Sequence, residues 1–310
     1  MTILVCGSIA YDTIMVFRDQ FKNHILPDQI HILNVAFLVP DLRREYGGCA
    51  GNIAYSLKLL GDEPLIMATV GHDFDPYQRR LDQLGLSRRH VRRVEDQFTA
   101  QAFITTDIDD NQITAFHPGA MSASHENRIA ETSGVRLAIV SPDGRQGMVE
   151  HAHDLAAAGI PYVLDPGQGL PMFSGEDVLA MLSGARCLTV NDYEARLVEQ
   201  KTGLTMTQLS GRVEAVVVTR GAEGADIHAG GQQIHVPAVK PEALVDPTGC
   251  GDAFRAGLLH GMVRGWNWLR CGRLASLMGS LKIAHRGGQN HRPNRAAIEA
   301  GFLAAFGDKL

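Results

Sequence analysis

Long apolar runs are missing from this sequence. No stretch approaches the roughly 20 consecutive residues that a membrane-spanning helix requires. No basic n-region or cleavable apolar segment precedes the first strand-like run, so the expectation is a soluble, cytoplasmic protein without a membrane partner. Cysteine is sparse and scattered: Cys6, Cys49, Cys187, Cys250 and Cys271 are odd in number and include no C-x-x-C pair. That argues against a disulfide frame and a structural zinc site, and for a reducing compartment. An excess of positive charge is absent too. The 29 Lys and Arg against 34 Asp and Glu leave a net charge of −5, which carries no polyanion-binding signature and disfavours nucleic acid as a partner.

Several catalytic signatures are also lacking. Without G-x-x-x-x-G-K-S/T the chain is not a P-loop NTPase, and without a G-x-S-x-G elbow a serine hydrolase is disfavoured. Gly249-Cys-Gly251-Asp-Ala-Phe254 fails the dinucleotide fingerprint, because Phe stands where the third Gly belongs and no first βαβ unit lies nearby. Of the 13 histidines, His151-Ala-His153 is the tightest pair, and with no H-E-x-x-H motif around it a solvated helix face is expected.

What is present describes a globular α/β chain of 310 residues, 45% hydrophobic and 20% charged. Strand-like runs are predicted at Ile3–Cys6, Thr13–Phe17 and Leu65–Val70, with helices at Cys49–Leu60 and Asp75–Leu84. Residues 18–45 read as irregular. Gln101–Ile108 and Gln112–Phe116 flank the turn chemistry of Asp109-Asp110-Asn111, which predicts a hairpin. Strand and helix then alternate strictly, with strands at Leu137–Val140, Tyr162–Leu164, Cys187–Val190 and Val216–Thr219. Between them helices are expected near Gly147–Ala158, Glu176–Leu182 and Asp192–Lys201. Such spacing means right-handed βαβ units and a mostly parallel sheet. A second hairpin (Ala225–His228, Gln232–Val236) precedes a helical last third. One domain over 1–310 is expected, with a small β lid assembled from about 13–45 and 98–120.

Five features fall near strand ends or helix starts, where ligands bind in such folds. Asp12 could accept two hydrogen bonds from a vicinal diol, or be a buried structural carboxylate. Gly47-Gly48-Cys49-Ala50-Gly51-Asn52 is a glycine-dense helix entry that allows close backbone approach or acts as a hinge. Asn191 and Glu194 share a helix face suited to phosphate and hydrated Mg²⁺, although a capping Asn with a first-turn Glu has the same spacing. Thr219-Arg220-Gly221 ends a strand and could meet a nucleotide or simply turn. In Val245-Asp-Pro-Thr-Gly-Cys-Gly-Asp-Ala-Phe254, Gly249 and Gly251 open a helix whose first N–H groups can converge on an anion. Asp252 then stands where a general base would, or serves as an ordinary helix cap.

Taken in order, these residues resemble the ribokinase-like (PfkB) sugar and nucleoside kinases. Asp12, the Gly47-Gly48-x-x-x-Asn52 segment, Asn191-Asp-Tyr-Glu194 and Asp246-Pro-Thr-Gly-Cys-Gly-Asp252 match the family's motifs along the whole chain. The resemblance implies a three-layer α/β/α fold with a mostly parallel central sheet and a small β-sheet lid. It implies sugar binding by Asp12, Gly47, Gly48 and Asn52, with Asp252 as the base beside an anion hole at Gly249, Cys250 and Gly251. ATP would lie across Asn191, Thr219, Gly221 and Gly288, with Mg²⁺ held at Glu194 through water. A monovalent cation such as K⁺ would sit at Asp246, Thr248 and Gly287, although His291 stands where some relatives offer a small hydroxyl. Pro247 and Cys250 depart mildly from the common pattern.

The acceptor is read from the lid. Phe103 and Phe116 could stack a nucleobase or form a small core beneath the hairpin, and Gln168 could address a base edge. The expected reaction is phosphorylation of a purine ribonucleoside at its 5′-hydroxyl, with a free-sugar kinase for ribose or a ketohexose as the alternative. Pairing of two chains through the lid is a further expectation.

Overall fold

The computed structural model describes residues 2–25, 34–109 and 111–310. Residues 26–33 of the irregular stretch and Asp110 of the expected hairpin turn lie outside the described residues.

The chain opens with β1 (Thr2–Cys6) and passes through Gly7-Ser8-Ile9 into β2 (Ala10–Val16). Asp12 therefore lies within a strand, held by neighbours on both sides, and not in a loop after one. The stretch read as irregular contains β3 (Asp41–Gly47). Its sequence Asp-Leu-Arg-Arg-Glu-Tyr-Gly hides the strand because an edge strand with much of its surface exposed needs no apolar alternation. After α1 (Cys49–Leu59), β4 (Glu63–Gly71) and α2 (Asp75–Gln83) comes a second unpredicted edge strand, β5 (Ser87–Val94), which carries four arginines. β6 (Ala100–Thr106) and β7 (Gln112–His117) form the expected hairpin.

The alternating middle of the chain forms as its spacing predicts. It runs β8 (Leu137–Val140), α3 (Arg145–Ala157), β9 (Tyr162–Leu164), α4 (Gly175–Leu182), β10 (Cys187–Asn191) and α5 (Asp192–Thr202). A five-residue helix that the pattern does not predict, α6 (Met206–Ser210), is held by a reciprocal cap between Thr205 and Gln208. β11 (Ala215–Thr219), β12 (Ala225–Ala229) and β13 (Gln232–Val236) lead to α7 (Cys250–Val263), α8 (Trp268–Ile283) and α9 (Arg295–Phe306). His151 on α3 corrects the solvated-face expectation: it is buried, with Nε2 3.1 Å from the Asn127 carbonyl oxygen, while His153 is exposed.

Among the described residues the strands form two sheets. The larger runs β13-β12-β11-β10-β9-β8-β1-β4-β5 and is parallel from β11 through β5, closed at one side by the antiparallel pair β12 and β13. Continuous apolar runs such as Ala215-Val-Val-Val218 suit strands covered on both faces. Ile3 and Val5 pack with Ile53, Tyr77 and Leu258 from α1, α2 and α7, whereas Leu4 and Cys6 pack with Met148, Val178 and Val198 from α3, α4 and α5. Three layers follow from that alternation. The smaller sheet, β3-β2-β6-β7, stands beside the carboxyl ends of the parallel strands, because β1 feeds β2 directly there.

Candidate active site

Strand order reverses at β1, whose neighbours β4 and β8 lead the chain to opposite sides, and a crevice opens at such a switch point. Asp165 follows β9, while Asn191 and Thr219 end β10 and β11 and are paired partners in the ladder. The small sheet adds Asp12 and Gly47 from above.

Two backbone turns bring the glycine motifs in. Gly48 takes φ +84°, and a Cβ there would lie 2.5–2.7 Å from the Ser8 and Ile9–Ala10 backbone, so only glycine fits. The Ser8 hydroxyl and carbonyl accept from the N–H groups of Cys49 and Ala50, which anchors the start of α1. Gly249 takes φ +77° as the cap of α7, and no side chain caps that helix. The Cys250 N–H donates back to the Pro247 carbonyl at 3.1 Å, which leaves the N–H groups of Gly251 and Asp252 open to an anion at the positive end of the helix dipole. Gly249 and Gly288 approach closely, and a side chain at Gly288 would overlap the Asn52 amide.

One hydrogen-bond chain joins these parts. Tyr77 donates to the Gly47 carbonyl at 2.8 Å and receives from Gln289 Nε2 at 2.6 Å. Gln289 Nε2 also donates to Asn52 Oδ1 at 3.1 Å, and Asn52 Nδ2 donates to Asp252 Oδ2 at 2.9 Å. With its Oδ1 engaged in this way, the Asn52 amide presents its NH₂ to the carboxylate. Burial pushes Asp252 up to about 6, while the Asn52 hydrogen bond and the positive charge of Arg255 pull against it. Asp12 is raised to about 6 as well, first by burial and then by the negative charge of Asp252. An acid titrating there, beside unclaimed helix N–H groups, can take a proton from a hydroxyl near neutral pH.

A second chain runs through Arg255, one turn beyond Asp252 on α7. It grips Asp165 with Nε and Nη2 at 2.6 and 2.9 Å, donates from Nη1 to the Gly251 carbonyl at 3.3 Å, and lies 4.0 Å from Glu194. Glu194 and Asn191 cap each other reciprocally, each side chain accepting the other's backbone N–H at 2.7 Å. Burial raises Glu194, against the pull of the Asn191 hydrogen bond. With one carboxylate oxygen so engaged, Glu194 fits a hydrated ion better than a directly bound one. Among the described residues no group of three or more His, Cys, Asp or Glu side chains is placed to hold a metal.

The sequence-predicted residues divide into those brought together and those that are not. Asp12, Gly47, Gly48, Asn52, Gly249, Cys250, Gly251, Asp252 and Gly288 converge. Phe103 and Phe116 fall on opposite faces of the small sheet, and only Phe116 is on the site's side. In the ladder Asp12 pairs with Ala102 and Ala102 with Phe116, so Phe116 shares the face of Asp12. Phe103 pairs with Thr13 and Ala115 on the opposite face. Gln168 sits exposed in the short turn Gly167–Met172 after β9, and Gly221 turns the chain after Thr219 at φ +54°.

Asp246, Thr248 and Gly287 do converge, with their polar groups engaged by one another and by Lys282. The Asp246 carboxylate accepts the N–H groups of Thr248 and Gly287, both at 2.8 Å, and its backbone carbonyl accepts from Lys282 Nζ at 2.8 Å. These residues therefore do not fit an additional monovalent cation on the Asp246 carbonyl. Arg255, Lys282, Gln289 and Tyr77 join the site without having been singled out in the sequence. Only Gln289 carried a signal, as the last residue of the Gly287-Gly-Gln289 segment.

The profile of the pfkB family of carbohydrate kinases matches residues 10–295 of the chain. Among curated relatives, the chain is 31% identical to a nucleoside kinase of Methanocaldococcus jannaschii, over 84% of this chain and 86% of that one. It is 30% identical to a nucleoside kinase of Methanothermobacter thermautotrophicus, over 98% and 96%. The Burkholderia thailandensis nucleoside kinase solved in complex with inosine superposes with a TM-score of 0.91 at 54% identity, covering 99% of both chains. The same enzyme solved with ADP-inosine gives a TM-score of 0.88 at 55% identity, covering 99% of this chain and 97% of that one.

Proposed function

Because the chain belongs to the pfkB family of carbohydrate kinases, we propose that it transfers the γ-phosphate of ATP to the 5′-hydroxyl of a purine ribonucleoside. The relatives named above are nucleoside kinases, and the one 54% identical to this chain binds inosine in its crystal. The observation that carries the reading is the Asn52–Asp252 hydrogen bond. It couples an amide suited to a sugar hydroxyl to an acid at an uncapped helix N-terminus.

In this reading Asp12 and Asn52 hold the ribose 2′,3′-diol, and Gly47 and Gly48 let the sugar approach the backbone. Phe116, on the face of Asp12, stacks on the base, and Gln168 offers it a donor and an acceptor. ATP lies along Asn191, Thr219, Gly221 and Gly288. As the 5′-oxygen bonds to the γ-phosphorus, Asp252 accepts the hydroxyl proton, the bond to the β,γ-bridging oxygen breaks and ADP departs. The backbone of Gly249, Cys250 and Gly251, at the positive end of α7, stabilises charge on the transferring group. Mg²⁺ held through water at Glu194 would supply charge neutralisation at the phosphates. A second copy of the chain covering the exposed Leu42, Phe103 and Ile113 of the small sheet would form a two-fold dimer.

Turnover with Mg·ATP on a panel of nucleosides and free sugars tests the reading. Inosine, adenosine or guanosine should be phosphorylated, and Asp252→Asn should lower kcat by about 10²–10⁴ with KM near wild type. Activity on ribose or a ketohexose but on no nucleoside, or wild-type kcat in Asp252→Asn, would overturn it.

A further inference from the structure

Lys282 is a cation buried near the candidate site that the reaction described above does not use. It lies in the last turn of α8 with no exposed surface, and its ammonium donates to two backbone carbonyls, those of Asp246 at 2.8 Å and His285 at 3.0 Å. Those carbonyls belong to two segments that must stay in register. The N–H groups of Val245 and Asp246 both donate to the Ile283 carbonyl, at 3.0 and 3.1 Å, and Gly287 N–H donates to the Asp246 carboxylate. The first segment runs directly into Gly249. The second runs into Gly288 and Gln289, which touch Asn52.

We infer that the Lys282 ammonium is a built-in monovalent cation, standing between the loop that leads to Gly249 and the 283–287 segment in place of an added K⁺. Lys282 is thus a positioning residue for the anion hole. The inference rests on the kinase reading only in taking Gly249–Gly251 as that hole.

Three observations favour a side-chain cation over a bound ion. Oxygen acceptors at 2.8–3.0 Å are the surroundings that a compact cation asks for, and a covalently held ammonium meets them without losing an ion's translational freedom. A second cation on the Asp246 carbonyl would stand next to Lys282, where two like charges out of water repel strongly. The neighbouring imidazole also carries no competing charge, since burial and then Lys282 push His291 down to about 3. Burial pulls Lys282 down as well, and the negative charge of Asp246 works in the other direction.

The test is the cation response of the wild-type protein and of two variants, Lys282→Met, which keeps most of the stem, and Lys282→Ala. Melting temperature and turnover are read in K⁺, Na⁺ or tetramethylammonium chloride at equal ionic strength. The wild type should show the same melting temperature and kcat in all three. Without K⁺ the variants should lose about tenfold or more in kcat, as expected when a charged hydrogen-bond donor is lost, with nucleoside KM little changed. K⁺, but not tetramethylammonium, should raise both their melting temperature and their kcat. A wild type whose melting temperature rises selectively in K⁺ would overturn the inference, and so would variants fully active without K⁺. The wild-type melting arm reads the inference even if a variant fails to fold or no nucleoside proves to be a substrate.

Discussion

At Asp252 the surroundings oppose the charge that its proposed role as a general base requires. Burial raises its carboxyl to about 6, and Asp12 is likewise raised to about 6, by burial and then by the negative charge of Asp252. The Asn52 amide offsets this by donating to the charged form. Since a general base works as the carboxylate, the role proposed for Asp252 predicts a kcat/KM that is level above neutrality and falls as pH drops through about 6. Removing the Asn52 donor takes away an interaction that favours the carboxylate, so the folded-state pKa rises. The acid limb of Asn52→Ala should therefore move to higher pH, whatever the variant also loses in sugar affinity. The pH dependence of kcat/KM for both proteins checks this, and an unmoved limb would show that Asn52 does not tune the base. Asp252 and Asn52 were legible in the sequence because each sits at a fixed distance from glycines whose backbone role admits few other residues. Their contact was not legible, because it spans 200 positions.

At the scale of an element, α7 carries both Asp252, the proposed base, and the guanidinium that ties the helix to the sheet. Arg255 and Asp165 are buried together, with side chains 8% and 3% exposed, and the pair joins the helix start to the end of β9. Arg255→Met leaves the Asp165 charge without its partner and should cost about 3–5 kcal/mol of stability. Arg255→Met combined with Asp165→Leu removes both charges and should recover most of that loss, while activity stays low because Gly251 and Glu194 have lost the group between them. Urea denaturation of the two variants and the wild type checks this. Equal losses in the single and the double variant would mean that packing, and not charge pairing, is what Arg255 contributes. Neither partner stood out in the sequence. An arginine inside an apolar, Gly-punctuated helix looks like a solvated position until the fold brings a carboxylate from 90 residues away. Lys282 escaped notice because the backbone carbonyls that hold its ammonium are placed by the fold and have no side-chain signature. The edge strands β3 and β5 escaped because exposed ladders place no demand on apolar alternation.

Over the whole molecule, the parallel sheet could be read from rhythm alone, because strands buried on both faces must be apolar throughout and must be joined by helices. The small sheet was only half legible. Its hairpin announced itself by turn chemistry, but which face looked at the site depended on register, which a sequence does not display. Register places Leu42, Phe103 and Ile113 on the face opposite Asp12, and they are 65%, 40% and 46% exposed. Leu42 and Ile113 lie on the two outer strands and Phe103 between them, so the stripe crosses the sheet. An apolar stripe on a sheet that projects from the main body loses water best against a second copy of itself, and a two-fold axis makes one patch serve both partners. The wild type should therefore sediment with the mass of two chains. Leu42→Lys with Ile113→Lys sets like charges against each other across that axis and should sediment as one chain at micromolar concentration, with the melting temperature lowered by loss of the interface. Sedimentation equilibrium of both proteins decides the matter. A one-chain mass for the wild type would leave Phe103 as a solvent-facing residue of the lid, with no role in base stacking or in assembly.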